Sequence, residues 1–133
     1  MRYNIQPLKD NDYEDVLVGW WKDWRWTPPA KDFLSDKGYM VYCDDEPVCA
    51  GFMYVTNSKV VLLEWIISNF NVKNKKVRKE ALLTLIEFVT SVARGIEKKY
   101  VYSLLKNPSL ISLYEELGYV KGGSNGQEMI KKL

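Results

Sequence analysis

Two residues of this chain carry acid–base chemistry in otherwise apolar surroundings. Glu64 falls between Val60–Leu63 and Trp65–Ile67, midway along an apolar run. A carboxylate carried into a sheet is costly to bury unless it is paired, hydrogen-bonded or beside a solvated cleft. Desolvation raises its pKa toward the range of a general base. The second residue, Tyr114, shares one face of a short apolar helix with Leu110, Leu113 and Leu117, at helical spacing. Each has two readings. Glu64 is a base at a cleft, or a carboxylate paired with a lysine at the rim or lying on a locally exposed sheet face. Tyr114 is a proton donor facing a cleft, or a satisfied core tyrosine. The chain has no histidine. Proton transfer therefore falls to carboxylate, tyrosine, lysine, cysteine or water.

A basic run follows. Lys73, Lys75, Lys76, Arg78 and Lys79 contribute five cations with no acid among them. They join an expected strand at 60–68 to an expected helix from 78 or 79 to about 98. Helix N-terminal amides and the macrodipole favour a bound anion at such a junction, and a solvated charged loop is the other reading. The run contains no glycine, so a tight backbone nest of the P-loop kind is not indicated. Upstream, Trp20, Trp21, Trp24 and Trp26 cluster just before Pro28 and Pro29. Trp20 and Trp24 share a helix face and suit packing on a sheet. Trp21, Trp24 and Trp26 are candidates for a groove that takes an apolar or cationic ligand.

The elements that must position these residues can be read from period and punctuation. Tyr3–Pro7 reads as a strand, and a helix capped by Asp10 or Asn11 reads to about Trp20 or Trp24. A short turn at 30–34 follows the prolines. Strands at 39–43 and 47–56 flank Asp44–Glu46 as a hairpin, and 60–68 completes a meander. After the long helix come a strand at 100–105 and a helix at 107–117. Asn107 caps that helix, Pro108 suits its first position, and Gly118 ends it. Residues 119–121 and 127–131 read as a closing hairpin around Gly122–Gly126. The order is β-α-(α)-β-β-β-α-β-α-β-β. This is a mixed α/β fold over residues 1–133, read as one domain, with a mostly antiparallel central sheet of six to seven strands flanked by helices.

Composition narrows the class. Of 133 residues, 47% are hydrophobic and 27% charged, which suits a globular protein rather than a disordered one. A net charge of +2 gives no reason to expect a nucleic-acid partner. Apolar runs such as Val60–Leu63 are far too short to span a membrane. No secretory signal is read, so Cys43 and Cys49 are expected as free buried thiols in a cytoplasmic protein. No ligand set for a metal is read.

Taken together, the element order and the segment Asn107–Tyr119 resemble the GNAT superfamily of acyl-CoA-dependent N-acetyltransferases. Asn107, Leu110, Leu113, Tyr114, Gly118 and Tyr119 match its C-terminal signature, with Leu110 where a small alanine is usual. The resemblance implies acetyl-CoA as cosubstrate, its pantetheine arm lying between splayed strands at 60–68 and 100–105. Backbone groups at Ile66 and Ile67 would bond to it, with Lys75, Lys76, Arg78, Lys79 and Asn107 completing the cofactor contacts. Glu64 would activate the amine, directly or through water, and Tyr114 would protonate the departing thiolate. One departure is local. Val77 and Lys79 stand where the family's pyrophosphate loop has glycines, and the connection is about two residues longer.

The function implied is acetyl transfer to a primary amine of a small molecule or peptide, by a monomer or homodimer. The alternative is a noncatalytic module on the same fold, recognising a protein or nucleic acid through the tryptophans and the basic loop. The tryptophans also suit a self-association face.

Overall fold

The computed structural model describes residues 1–133. β1 (Tyr3–Pro7) leads into a π-helical turn (Tyr13–Leu17) continuous with α1 (Val18–Asp23), and a 3₁₀ turn (Lys31–Phe33) precedes β2 (Gly38–Cys43). β3 (Glu46–Val55) and β4 (Val60–Ser68) follow, then α2 (Lys75–Gly95), β5 (Tyr100–Tyr102) and α3 (Pro108–Glu116). The strands form one five-stranded sheet in the order β1-β2-β3-β4-β5. The first three pairings are antiparallel, and β4 with β5 is parallel.

The sheet is apolar on both faces because each carries its own helical layer. On one side Val41, Val48, Cys49, Val61 and Leu63 pack with Ala81, Leu85, Ile86 and Val89 of α2 and with Leu113 of α3. On the other, Met40, Ala50, Phe52 and Ile67 pack with Leu17, Trp20 and Trp21. β3 is buried from Val48 to Met53, as a strand covered on both faces must be. The β2–β3 turn places Asp44 and Asp45 at φ 49° and 73°, the doubly left-handed geometry of a tight hairpin. Cys43 and Cys49 are both buried and unbridged.

Four expectations need correcting. The first helix is not capped by Asp10 or Asn11. The Asp12 carboxylate instead accepts the Lys9 amide at 2.8 Å, and the Asn11 amide group donates to Asp15 at 2.9 Å. α2 starts at Lys75, because the Asn74 side chain accepts from the amides of Lys76 and Val77 and fixes the start there. Most of the basic run is therefore the first turn of a helix rather than a loop. β5 stops at Tyr102 because its pairing with β4 ends there. The sheet has five strands rather than six or seven, since residues 119–133 form no strand and Val120, Met129 and Ile130 are exposed. The tail leaves the outer edge of β5 unused, and that edge is only three residues long.

Gly38 opens β2 where there is no room for a side chain. A Cβ there would lie 2.5 Å from Leu8 Cδ1 and 2.7 Å from the ring of Phe52, itself buried in the core. Gly38→Ala should lower the unfolding free energy by about 1–3 kcal/mol, read from urea denaturation midpoints. An unchanged midpoint would mean that Leu8 and Phe52 yield freely.

Candidate functional site

β4 and β5 pair only from Val60↔Tyr100 to Leu62↔Tyr102. Beyond that point β5 offers β4 no backbone partner, and buried backbone groups left there need other bonds. Side chains supply them. The Ser103 hydroxyl donates to the Leu63 carbonyl at 2.7 Å, and the Leu104 amide donates to the Glu64 carboxylate at 3.0 Å and 3.3 Å. Ser103 and Leu63 lie immediately past the last paired position, and Leu104 and Glu64 one residue further on. Glu64 thus sits at the parting of the two strands and ties them together.

A bulge re-aims β4 at the same place. Phe52 pairs with Glu64 and Ala50 with Ile67, so Trp65 and Ile66 together oppose the single residue Gly51. Trp65 takes φ 58°, an outlier for a bulky residue that costs about 1–2 kcal/mol. A Cβ on Gly51 would lie 3.2 Å from Ile66 Cγ1 and 2.9 Å from Leu85 Cδ2, so glycine leaves room for the bulge. The Trp65 indole meets Phe33 edge-on at 5.6 Å.

A cavity of about 820 Å³ opens beside this parting. Glu64, Ile66, Ile67, Lys75, Arg78, Lys79, Asn107, Trp21, Trp24 and Trp26 all line it, while Lys76 and Tyr114 do not. Among the wall residues not singled out from the sequence are Trp65 and Glu128. Trp65 looked like one more apolar strand residue, and only its left-handed backbone turns it into a feature. Glu128 lies in the tail that was read as a hairpin, and it reaches the wall with its carboxylate 3.7 Å from Lys106 Nζ. Ser103, which does not line the cavity, was missed because it is a single small polar residue in a short strand.

Glu64 makes no ion pair with a lysine; its partner is a backbone amide. Burial raises its pKa to about 7, the Leu104 N–H opposes this, and the Glu128 charge adds to it. At neutral pH such a carboxyl is divided between its two protonation states, the condition that suits a general base.

Tyr114 is only 3% exposed. Its hydroxyl lies 2.8 Å from Ser103 Oγ, and because Ser103 donates its own proton to Leu63, the phenol is the donor in that bond. Burial pushes the phenol above its ordinary range. The phenol therefore closes a Tyr114–Ser103–Leu63 chain beneath the parting rather than standing on the cavity wall.

The anion end differs from a backbone cradle. Asn74 Oδ1 accepts from Lys76 N at 3.0 Å and Val77 N at 3.2 Å, so those amides are already occupied. Asn107 Oδ1 likewise accepts from Ser109 N and Leu110 N, which leaves only its NH₂ group free. Lys79 pairs with Glu116 at 3.3 Å, whereas Lys75, Lys76 and Arg78 have no acid partner. Cations in a helix's first turn oppose its dipole, a cost of a few tenths to about 1 kcal/mol each that a bound anion would offset. No grouping of acidic, histidine or cysteine side chains could hold a metal ion. No helix is long and apolar enough to cross a membrane.

A five-stranded sheet, mostly antiparallel, with one parallel pair splaying beside a cavity and a helix layer on each face, has counterparts among solved structures. A protein from Thermus thermophilus matches with a TM-score of 0.70 at 16% identity, over 100% of this chain and 99% of that one. The chain has a GNAT-like acyltransferase fold. Glucosamine-6-phosphate N-acetyltransferase from Arabidopsis thaliana shares this fold with a TM-score of 0.66 at 10% identity, over 98% of this chain and 100% of that one. A Bacillus subtilis acetyltransferase in complex with CoA shares it at 0.59 and 18%, over 88% and 74%. No family model and no curated protein matches the sequence.

The raised Glu64 pKa has a consequence for stability. Between the ordinary value of 4.5 and about 7 the folded chain holds a proton that the unfolded chain has lost. Folding stability from this group therefore falls as pH rises through that window. Glu64→Gln should flatten that fall between pH ~5 and ~7.5, read from urea midpoints, and a side-chain carboxyl NMR titration should place Glu64 near 7. A titration at the ordinary carboxylate value would contradict the site's description.

Proposed function

We propose that this protein is an acetyl-CoA-dependent N-acetyltransferase acting on a primary amine. The observation that carries the reading is the half-buried Glu64, with a pKa near 7, at the parting of β4 and β5 in a GNAT-like fold. The cavity beside it also reaches the unpaired cations Lys75 and Arg78. Bound acetyl-CoA would supply a thioester as acyl donor. Glu64, directly or through one water, takes the proton that the amine loses as its nitrogen attacks the acetyl carbon. The carbon–sulfur bond breaks as the carbon–nitrogen bond completes, and Tyr114 delivers a proton to the sulfur. For that, the phenol must exchange its bond to Ser103 for one to the sulfur. Backbone groups of Ile66 and Ile67, on the stretch of β4 that β5 leaves unpaired, orient the cofactor arm. Lys75, Arg78 and Lys79 meet its phosphates, Lys76 lying off the cavity wall, and the free NH₂ of Asn107 remains available to it. Trp21, Trp24 and Trp26 bound the groove.

A second reading is favoured by the Asn74 cap and the satisfied Tyr114. It is a noncatalytic module on the same fold that meets a protein or nucleic-acid partner through its tryptophans and basic turn.

Calorimetric titration with acetyl-CoA separates the two. Binding with release of heat, and a rise in melting temperature, is expected; neither at millimolar cofactor would overturn the enzyme reading. In the active protein, Glu64→Gln should lower kcat by about 10²-fold or more. The wild-type rate should rise with pH through about 7 as Glu64 loses its proton. Tyr114→Phe should slow transfer with little change in cofactor affinity, and an unchanged rate would remove Tyr114 from the mechanism.

A further inference from the structure

Arg78 points into the cavity wall without a partner of the usual kind. Its guanidinium makes no ion pair and no side-chain hydrogen bond within the protein, and its Cζ lies 4.9 Å from the centre of the Trp24 ring. All five of its N–H donors are therefore free while its charge rests on an aromatic face. Trp24 is itself held from several directions. Its indole N–H donates to the Ser68 carbonyl at 2.8 Å, at the end of β4. It stacks on Trp26 at 5.9 Å with 23° between planes, and meets Phe70 edge-on at 4.9 Å. Phe70 in turn carries the Lys73 ammonium at 3.8 Å. A ring already occupied by Arg78 and Trp26 is poorly placed to stack on an acceptor, and well placed to fix a cation.

The start of α2 explains why such a cation is needed. The Lys76 and Val77 amides are bonded to the Asn74 side chain, and the Arg78 amide to the Asn74 carbonyl at 3.1 Å. The helix end thus withholds all but the Lys75 amide among the donors that a phosphate would ordinarily use there. We propose that Trp24 is a positioning residue that holds Arg78 as the receiver of the CoA phosphoryl groups, in place of the amides taken by Asn74. This rests on the acetyl-CoA reading and adds to it that the nucleotide end is held by side-chain charge. Such a grip is screened by salt more than a buried amide cradle is. A planar guanidinium also suits it better than an ammonium, because it can both stack and bind a phosphoryl group in bidentate fashion.

Calorimetry on the full chain with two probes, CoA and pantetheine, tests this, because pantetheine has the thiol arm without phosphoryl groups. Arg78→Ala should weaken CoA by about tenfold or more, and Trp24→Leu by about three- to tenfold, with pantetheine affinity unchanged in both. Trp24→Phe should recover most of the loss. Arg78→Lys should remain several-fold weaker than wild type although the charge is kept. The Trp24→Leu/Arg78→Ala double variant should lose no more than Arg78→Ala alone, since one residue acts through the other. A merely structural role for Trp24 would weaken both probes alike, and that result would overturn the proposal, as would additive losses or a Trp24→Leu variant with wild-type CoA affinity. Should Trp24→Leu fail to fold, Arg78→Lys decides: wild-type CoA affinity in that variant would show that no stacked guanidinium is needed. A wild-type chain that binds neither probe would instead overturn the acetyl-CoA reading, and this inference with it. Wild-type binding of CoA with unaffected variants would overturn this inference alone.

Discussion

The site depends on a parallel strand pair that ends early. β4 runs to Ser68, but β5 leaves it after Leu62↔Tyr102, and a sheet opened in this way exposes backbone groups with no ladder to complete. Three side chains close the gap at its root. Ser103 reaches the Leu63 carbonyl, Glu64 takes the Leu104 amide, and Tyr114 donates into Ser103. The bulge at Trp65–Ile66 and the absence of a side chain at Gly51 belong to the same arrangement, because they turn β4 where it no longer has β5 to follow. The strain at Trp65 persists because core packing on either side leaves the strand no other course.

This geometry also sets the electrostatics. Glu64 is placed where burial, rather than an ion pair, governs its proton, and Glu128 approaches from the tail to reinforce the effect. Lys75 and Arg78, which line the same cavity, stand without acid partners.

Periodicity and punctuation sufficed where a residue's neighbours in sequence are also its neighbours in space. The Asn107 cap, the Pro108 start and the apolar stripe of α3 are local, and so is the hairpin turn read at 44–46, which closes as Asp44–Asp45. The position of Glu64 in a central strand was legible for the same reason. Features made by residues distant in sequence were not. That Ser103 sits opposite Leu63, that Glu64 bonds to Leu104, and that Trp24 carries Arg78 are each set by tertiary packing. The start of α2 was misplaced because a lysine-rich turn opposes the helix dipole, and the strength of the Asn74 cap outweighs that preference. The closing hairpin had the right turn residues, but the free edge strand β5 offers only Tyr100–Tyr102 to pair with. Tyr114 shows the remaining gap: its face on α3 was readable, whereas the direction of its proton was not.

In the proposed enzyme the arm of acetyl-CoA lies at the parting of β4 and β5. Backbone amide NMR of the ¹⁵N-labelled protein, titrated with CoA, tests it most directly. Shifts should concentrate at Glu64, Trp65, Ile66 and Ile67 and at Ser103 and Leu104, with a second group at the first turn of α2. Shifts confined to that basic turn, leaving the β4–β5 parting unmoved, would contradict it.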